Sequence, residues 1–162
     1  MTIRQVSYTS RLRAESLVAS PQIAVISITD PGTSAARLAN GFADVLGLAF
    51  FDAVPADEYL PAPVPGLFDR AMARRIGDFV CHLHAANADI SLVVHCEYGV
   101  SRSAAVALFA AAYAGAPLAA REYAFDANRW VVELLSRLYP DLSVEIPDEE
   151  GASERRATPR AA

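Results

Sequence analysis

VVHCEYGVSRSAAVALFAAAYAG, residues 93–115, joins three kinds of chain within 23 positions. An apolar run closes on Cys96, a short polar loop carries one glycine, and an alanine-rich run follows. With Ile90, Ser91 and Leu92 before it, the first part reads as a strand buried on both faces, where no polar alternation is needed. Residues 104–113 are apolar all round, which predicts a helix at the centre of the molecule. Gly115 and Pro117 end that helix.

The same pattern recurs on either side. IAVISI, residues 23–28, is a second β-branched apolar run, closed by the turn signals of Pro31 and Gly32. LGLAFF, residues 46–51, predicts another short strand ending at Asp52, after a weaker helix over residues 35–45. IRQVSY, residues 3–8, alternates as an edge strand does, and SRLRAESLVA predicts a short helix capped by Ser10. Phe68, Met72, Ile76, Phe79 and Leu83 recur at helical spacing, and Trp130, Val131, Leu134, Leu135 and Leu138 do the same over residues 128–139. Four prolines within residues 55–66 predict a surface loop of the kind that often serves a site. Strands alternating with helices give an α/β class: a central, mostly parallel twisted sheet of about four to five strands flanked by helices.

A chain of 162 residues is one domain, expected over residues 1–147, with a polar tail from 148 to 162 that is expected to be disordered. The net charge of −5 disfavours a nucleic-acid binder or an anionic-membrane binder, which need a broad basic surface. The opening residues lack the apolar core of a secretory signal, and no run is long enough to span a bilayer. Only two cysteines occur, too few for a disulfide framework, so a cytoplasmic home is expected.

The loop CEYGVSR carries the chemistry. Between a buried strand and a helix, its backbone N–H groups converge at a helix N-terminus, a concavity that attracts a dianion. Gly99 allows a backbone angle that side chains disfavour. Arg102, in the first helical turn, can fork two hydrogen bonds onto a tetrahedral oxyanion. The field that holds such an anion also stabilises the thiolate of Cys96, so its ionisation should fall well below that of free cysteine. One cup thus activates a nucleophile and grips its target.

His95-Cys96, five residues, then Arg102-Ser103, with Gly99 between, resembles the signature loop of the cysteine-dependent protein tyrosine and dual-specificity phosphatases. VISITDPG, LGLAFFD and FDRAMARRIGDFV before LVVHC extend the likeness to small bacterial dual-specificity members, over roughly residues 23–140. The resemblance implies the phosphotyrosine protein phosphatase-like fold and a cysteinyl-phosphate intermediate. It implies that Cys96 attacks phosphorus and that Arg102 and the amides of Glu97, Tyr98, Gly99, Val100, Ser101 and Arg102 hold the oxygens. Ser103 would hydrogen-bond the sulfur, His95 would support the loop, and an aspartate would serve as general acid and then base. Asp52, following its strand as the family's acid does, is the first choice, with Asp57 the alternative and Asp69 a helix-start residue. The chain departs from small bacterial relatives, which often carry two adjacent aspartates here, in having Asp52-Ala53.

No cofactor and no metal is expected. His95 and Cys96, as strand neighbours, point to opposite faces, so the cluster of Cys81, His82, His84, His95 and Cys96 does not make one site. Cys81 reads as core filler, and Arg74 and Arg75 as a solvated face. Asn128-Arg129-Trp130 is similar to the family's asparagine-containing turn, which helix capping explains equally well. Tyr98 is open between a pocket wall and a solvent-facing residue. The expected partner is a phosphorylated protein bearing phosphotyrosine, or also phosphoserine and phosphothreonine, with no nucleic acid and no membrane, and the chain is expected to act as a monomer. Alternatives are a non-protein phosphoester (a small metabolite, an RNA 5′-phosphate or a phosphoinositide) and a phosphoprotein-binding module without turnover. The loop CEYGVS offers Glu97 rather than the bases that extra phosphates call for.

Overall fold

The computed structural model describes residues 2–55 and 65–150. Among the described residues four strands, β1 (Ile3–Ser10), β2 (Ile23–Thr29), β3 (Asp44–Ala49) and β4 (Ile90–Cys96), form one sheet in the order β1-β4-β2-β3. Every pairing is parallel. Parallel neighbours need crossovers; α1 (Arg11–Glu15) lies in the connection from β1 to β2 and α2 (Arg70–Ala85) in that from β3 to β4, while α3 (Arg102–Ala114) and α4 (Arg129–Leu138) follow the last strand. The α/β class and central parallel sheet expected from the sequence are therefore present.

Strand alternation divides the burial. Ile90, Leu92, Val94 and Cys96 of β4 join Ala24, Ile26 and Ile28 of β2 in the main core. The opposite pleat carries Val25, Ser27, Val93 and His95, which are buried too. A double-sided strand therefore needs apolar residues at nearly all positions, which is why β2 and β4 lack a period-two signal.

Helix α3 contacts β1, β4, α4 and α2. Its residues from Arg102 to Ala111 are all buried. Alanine suits such a helix, since short side chains let neighbours approach from every direction at no rotamer cost. Phe109 and Leu108 supply the bulk, and truncating either to alanine belongs to the class that costs about 2–5 kcal/mol. Gly115 ends the helix at φ 61°, in the left-handed region, where its cap amides reach the carbonyls of Ala111 and Ala112.

Two other caps set where helices begin. Asp69 accepts a hydrogen bond from the Met72 amide at the start of α2, and Ser10 accepts one from Arg13 at the start of α1. On α2 the buried positions are Ala73, Ile76, Gly77, Val80 and Leu83, with Met72 and Phe79 partly buried.

The structure corrects three expectations. Residues 35–43 form no helix; Gly41 sits at φ 110° and the Arg37 amide donates to Glu15 Oε2, so local turns replace a helical ladder. Strand β3 then starts at Asp44, two residues earlier than the apolar run suggested. Cys81 is exposed on α2 rather than core, lying off the buried stripe. It hydrogen-bonds the phenol of Tyr113, whose ionisation is pushed up to about 12 by that bond and by burial. A short 3-10 segment, Arg121–Asp126, was not signalled by any periodicity. Part of the proline-rich loop, residues 56–64, and the tail beyond residue 150 lie outside the described residues.

Parallel pairing aligns the carboxyl ends of all four strands. Ser10 lies opposite Cys96, and Thr29 opposite Ala49. Open parallel sheets place their ligand sites along this edge, and the residues singled out above lie there.

Candidate active site

The loop from Glu97 to Ser101 is pinned from outside before it does any chemistry. Gly99 has φ 72°, and a Cβ there would meet the backbone carbonyl carbon of Thr9 at 2.4 Å and the Ser10 nitrogen at 2.5 Å. Conformation and close approach both require glycine at this point. The Glu97 carbonyl accepts from the Arg11 amide at 3.2 Å, and the Ser101 carbonyl accepts from the amides of Ala105 and Asn128, each at 3.1 Å. Arg11, four-fifths buried, also lies 3.8 Å from the Glu97 carboxylate, which offsets the one acid in the loop.

Cys96 ends β4 with its side chain in the main core. Burial alone would push the thiol up. The Ser103 hydroxyl and the amides of Ser103, Gly99 and Val100 act against it, and the balance lowers the ionisation of Cys96 below the ordinary thiol value. The Cys96 sulfur and Ser103 Oγ are 3.1 Å apart. An anion at this depth is tolerable because its donors are already aimed at it.

His95 faces the other side of the sheet. Its Nδ1 lies 3.3 Å from the Cys96 carbonyl and its Nε2 2.6 Å from Ser27 Oγ. A carbonyl only accepts, so Nδ1 carries the hydrogen. Burial lowers the imidazole ionisation and keeps the ring neutral at pH 7, so Nε2 accepts from Ser27. The ring thus fixes the backbone that carries the sulfur and does not touch the sulfur.

Arg102 is 4 % exposed. Its Nη1 donates to Asp30 Oδ1 at 2.7 Å and to the Phe50 carbonyl at 2.6 Å. Nε is buried and has no hydrogen-bond partner among the described residues. A buried donor on a charged group left unsatisfied costs about 1–3 kcal/mol or more, so it calls for an explanation. The guanidinium is held by one nitrogen and keeps a donor in reserve.

Asp52, just past β3, is exposed, and its Oδ1 accepts from Ser101 Oγ at 2.7 Å and from Asn128 Nδ2 at 2.8 Å. The carboxyl therefore stands beside the loop. Asp69 caps α2 instead, and Asp57 lies outside the described residues. The edge carries exposed apolar side chains as well: Phe51, Val54 and Val100, with Tyr98 at 84 % exposure. Tyr98 faces solvent. Arg75 donates to the Gly47 carbonyl of β3 and serves the fold.

The structure brings together Cys96, Ser103, Gly99, Val100, Ser101, Arg102 and Asp52, with His95 behind them. Sequence reasoning missed Asp30 as the partner of Arg102. A carboxylate directly after a buried strand, at the edge where parallel strands end, was the available signal. Sequence reasoning left Asn128 open between a family-like turn and a helix cap; the side chain caps α4 and also donates to Asp52.

No protein-family model matches the chain, and no curated protein matches its sequence.

Proposed function

We propose that this chain is a cysteine-dependent phosphomonoesterase that acts on phosphorylated protein, foremost on phosphotyrosine. The observation that supports this reading best is the buried Arg102 Nε, which has no hydrogen-bond partner among the described residues, next to a loop whose amides already converge on the Cys96 sulfur. A tetrahedral dianion satisfies that donor and the loop amides at once.

In this reading the Cys96 thiolate attacks phosphorus, forming the S–P bond as the P–O bond to the leaving group breaks. Arg102 and the loop amides carry the charge spread over the three equatorial oxygens, which are held but not covalently changed. Asp52 gives a proton to the leaving oxygen. In the second step water attacks phosphorus, Asp52 takes its proton, and the sulfur departs as a thiolate steadied by Ser103. Ser103 thus matters most when sulfur leaves. Arg102 supplies the positive charge that a cation brings elsewhere, so no metal enters the scheme.

The exposed apolar residues at the edge, Phe51, Val54, Tyr98 and Val100, favour an aromatic phosphoester on a protein surface over a polyphosphorylated or strongly polar ligand. A thiolate nucleophile also fits a reducing compartment. Among the described residues no helix is long and apolar enough to cross a membrane.

The test is hydrolysis of p-nitrophenyl phosphate in the presence of EDTA. Release of nitrophenolate by the wild type, abolished in Cys96→Ser, is the expected result. A wild-type protein that binds phosphotyrosine peptides yet releases nothing is a binding module, and the enzymatic reading then fails.

A further inference from the structure

Resting on the phosphatase reading, we infer that Asn128 and Ser101 are positioning residues that fix the Asp52 carboxyl through Oδ1 and leave Oδ2 to carry the transferred proton. Both donors, Ser101 Oγ at 2.7 Å and Asn128 Nδ2 at 2.8 Å, meet the same oxygen. Two donors fill the lone-pair directions of Oδ1, so a proton on Asp52 sits on Oδ2.

The orientation of Asn128 is settled by its other bonds. Its Oδ1 accepts from the amides of Trp130 at 3.0 Å and Val131 at 3.1 Å, the N-terminal amides of α4. Its Nδ2 gives the second hydrogen to the Ala53 carbonyl at 3.1 Å. All four hydrogen-bonding positions of the side chain are in use, which is what allows an asparagine to be only 6 % exposed. Its own amide donates to the Ser101 carbonyl at 3.1 Å. One side chain and its backbone therefore join the start of α4, the segment after β3 and the phosphate loop.

Ser101 directly precedes Arg102, so the same network ties the acid to the group that holds phosphate. A carboxyl held from one direction turns about that bond; held from two, it keeps its second oxygen facing a fixed point. Misplacement of a reacting group by about 1 Å can cost on the order of a hundredfold. The role is positional, since neither side chain need touch the reacting atoms.

A positioning role for the acid is separable from a merely structural one by the leaving group. Phenolate, released from phenyl phosphate, is a poor leaving group that needs a proton; dinitrophenolate, released from dinitrophenyl phosphate, leaves readily without one. Asn128→Ser keeps a helix cap at the start of α4 and removes the amide donors. For this variant kcat/KM on phenyl phosphate is expected to fall about 10–100-fold, with less than about a twofold change on dinitrophenyl phosphate. Ser101→Ala, which removes one hydroxyl, is expected to show the same contrast and carries the test if Asn128→Ser does not fold. Equal losses on both esters, or none on phenyl phosphate, overturn the inference while leaving the phosphatase reading intact. A wild type that turns over neither ester removes both.

Discussion

At the scale of single residues the site is built on the buried Cys96, His95, Arg102 and Ser103, whose buried polar atoms have partners except Arg102 Nε, which has none among the described residues. Cys96 illustrates the balance: burial opposes the thiolate, and the Ser103 hydroxyl together with the amides of Ser103, Gly99 and Val100 overcomes it. The sign of the pH dependence follows. Below its ionisation the sulfur is a protonated, poor nucleophile; above it the thiolate is available, so kcat/KM should rise through the lowered value on its acid limb. Removing the Ser103 hydroxyl takes away the largest of the opposing contributions. Ser103→Ala should therefore move the thiol ionisation, read by the ultraviolet absorbance of the thiolate, back toward that of free cysteine, and move the acid limb with it. A wild-type sulfur that titrates like an ordinary cysteine contradicts this account of the cup. His95 shows the same economy in a neutral group, with Nδ1 on the Cys96 carbonyl and Nε2 on Ser27.

Elements place these residues, and their caps are where sequence and structure can be compared. Asp69 stood in the sequence as a helix-start residue competing with Asp52 as acid, and it accepts from the Met72 amide at 2.8 Å. Asp69→Ala should therefore lower stability by about 1 kcal/mol, seen in urea unfolding, with kcat on p-nitrophenyl phosphate unchanged. A large loss of kcat instead would return Asp69 to the catalytic candidates. Strands β2 and β4 were legible because burial on both faces demands continuous β-branched residues, and α3 because burial all round demands small apolar ones. The start of β3 was not legible: Asp44 and Val45 lie on an edge strand and are exposed, so no apolar signal marks them. Cys81 was misread because a small apolar residue on a helix has no sign of its own as to which face it takes. Asp30, and the contact of Asn128 with Asp52, escaped for another reason. Their partners, Arg102 and Asp52, lie 72 and 76 positions away, and only the parallel sheet and the packing of α4 bring them together.

Over the whole molecule the charge runs against the proposed ligand. The chain carries −5 overall, so on the proposed reading a dianion would be drawn in by a local concentration of donors at the carboxyl edge of the sheet and not by a general field. That edge is also where β4, the loop and α3 meet, and α3 packs on two strands and two helices. An oxyanion bound there adds contacts only to the folded state and so raises the unfolding temperature by mass action. With tungstate or inorganic phosphate at about a hundred times its dissociation constant, the gain is about 2.7 kcal/mol, or roughly 5–10 °C for a chain of this size. Arg102→Lys keeps the charge and loses the fork that offers Nε and a second nitrogen together, and this variant should lose most of the shift. Exposed Arg74→Lys, on α2, should retain it. Differential scanning calorimetry at fixed ionic strength separates the outcomes: a shift of equal size in all three proteins means general salt stabilisation, and no shift in the wild type means that the Arg102 donor is not held for an oxyanion.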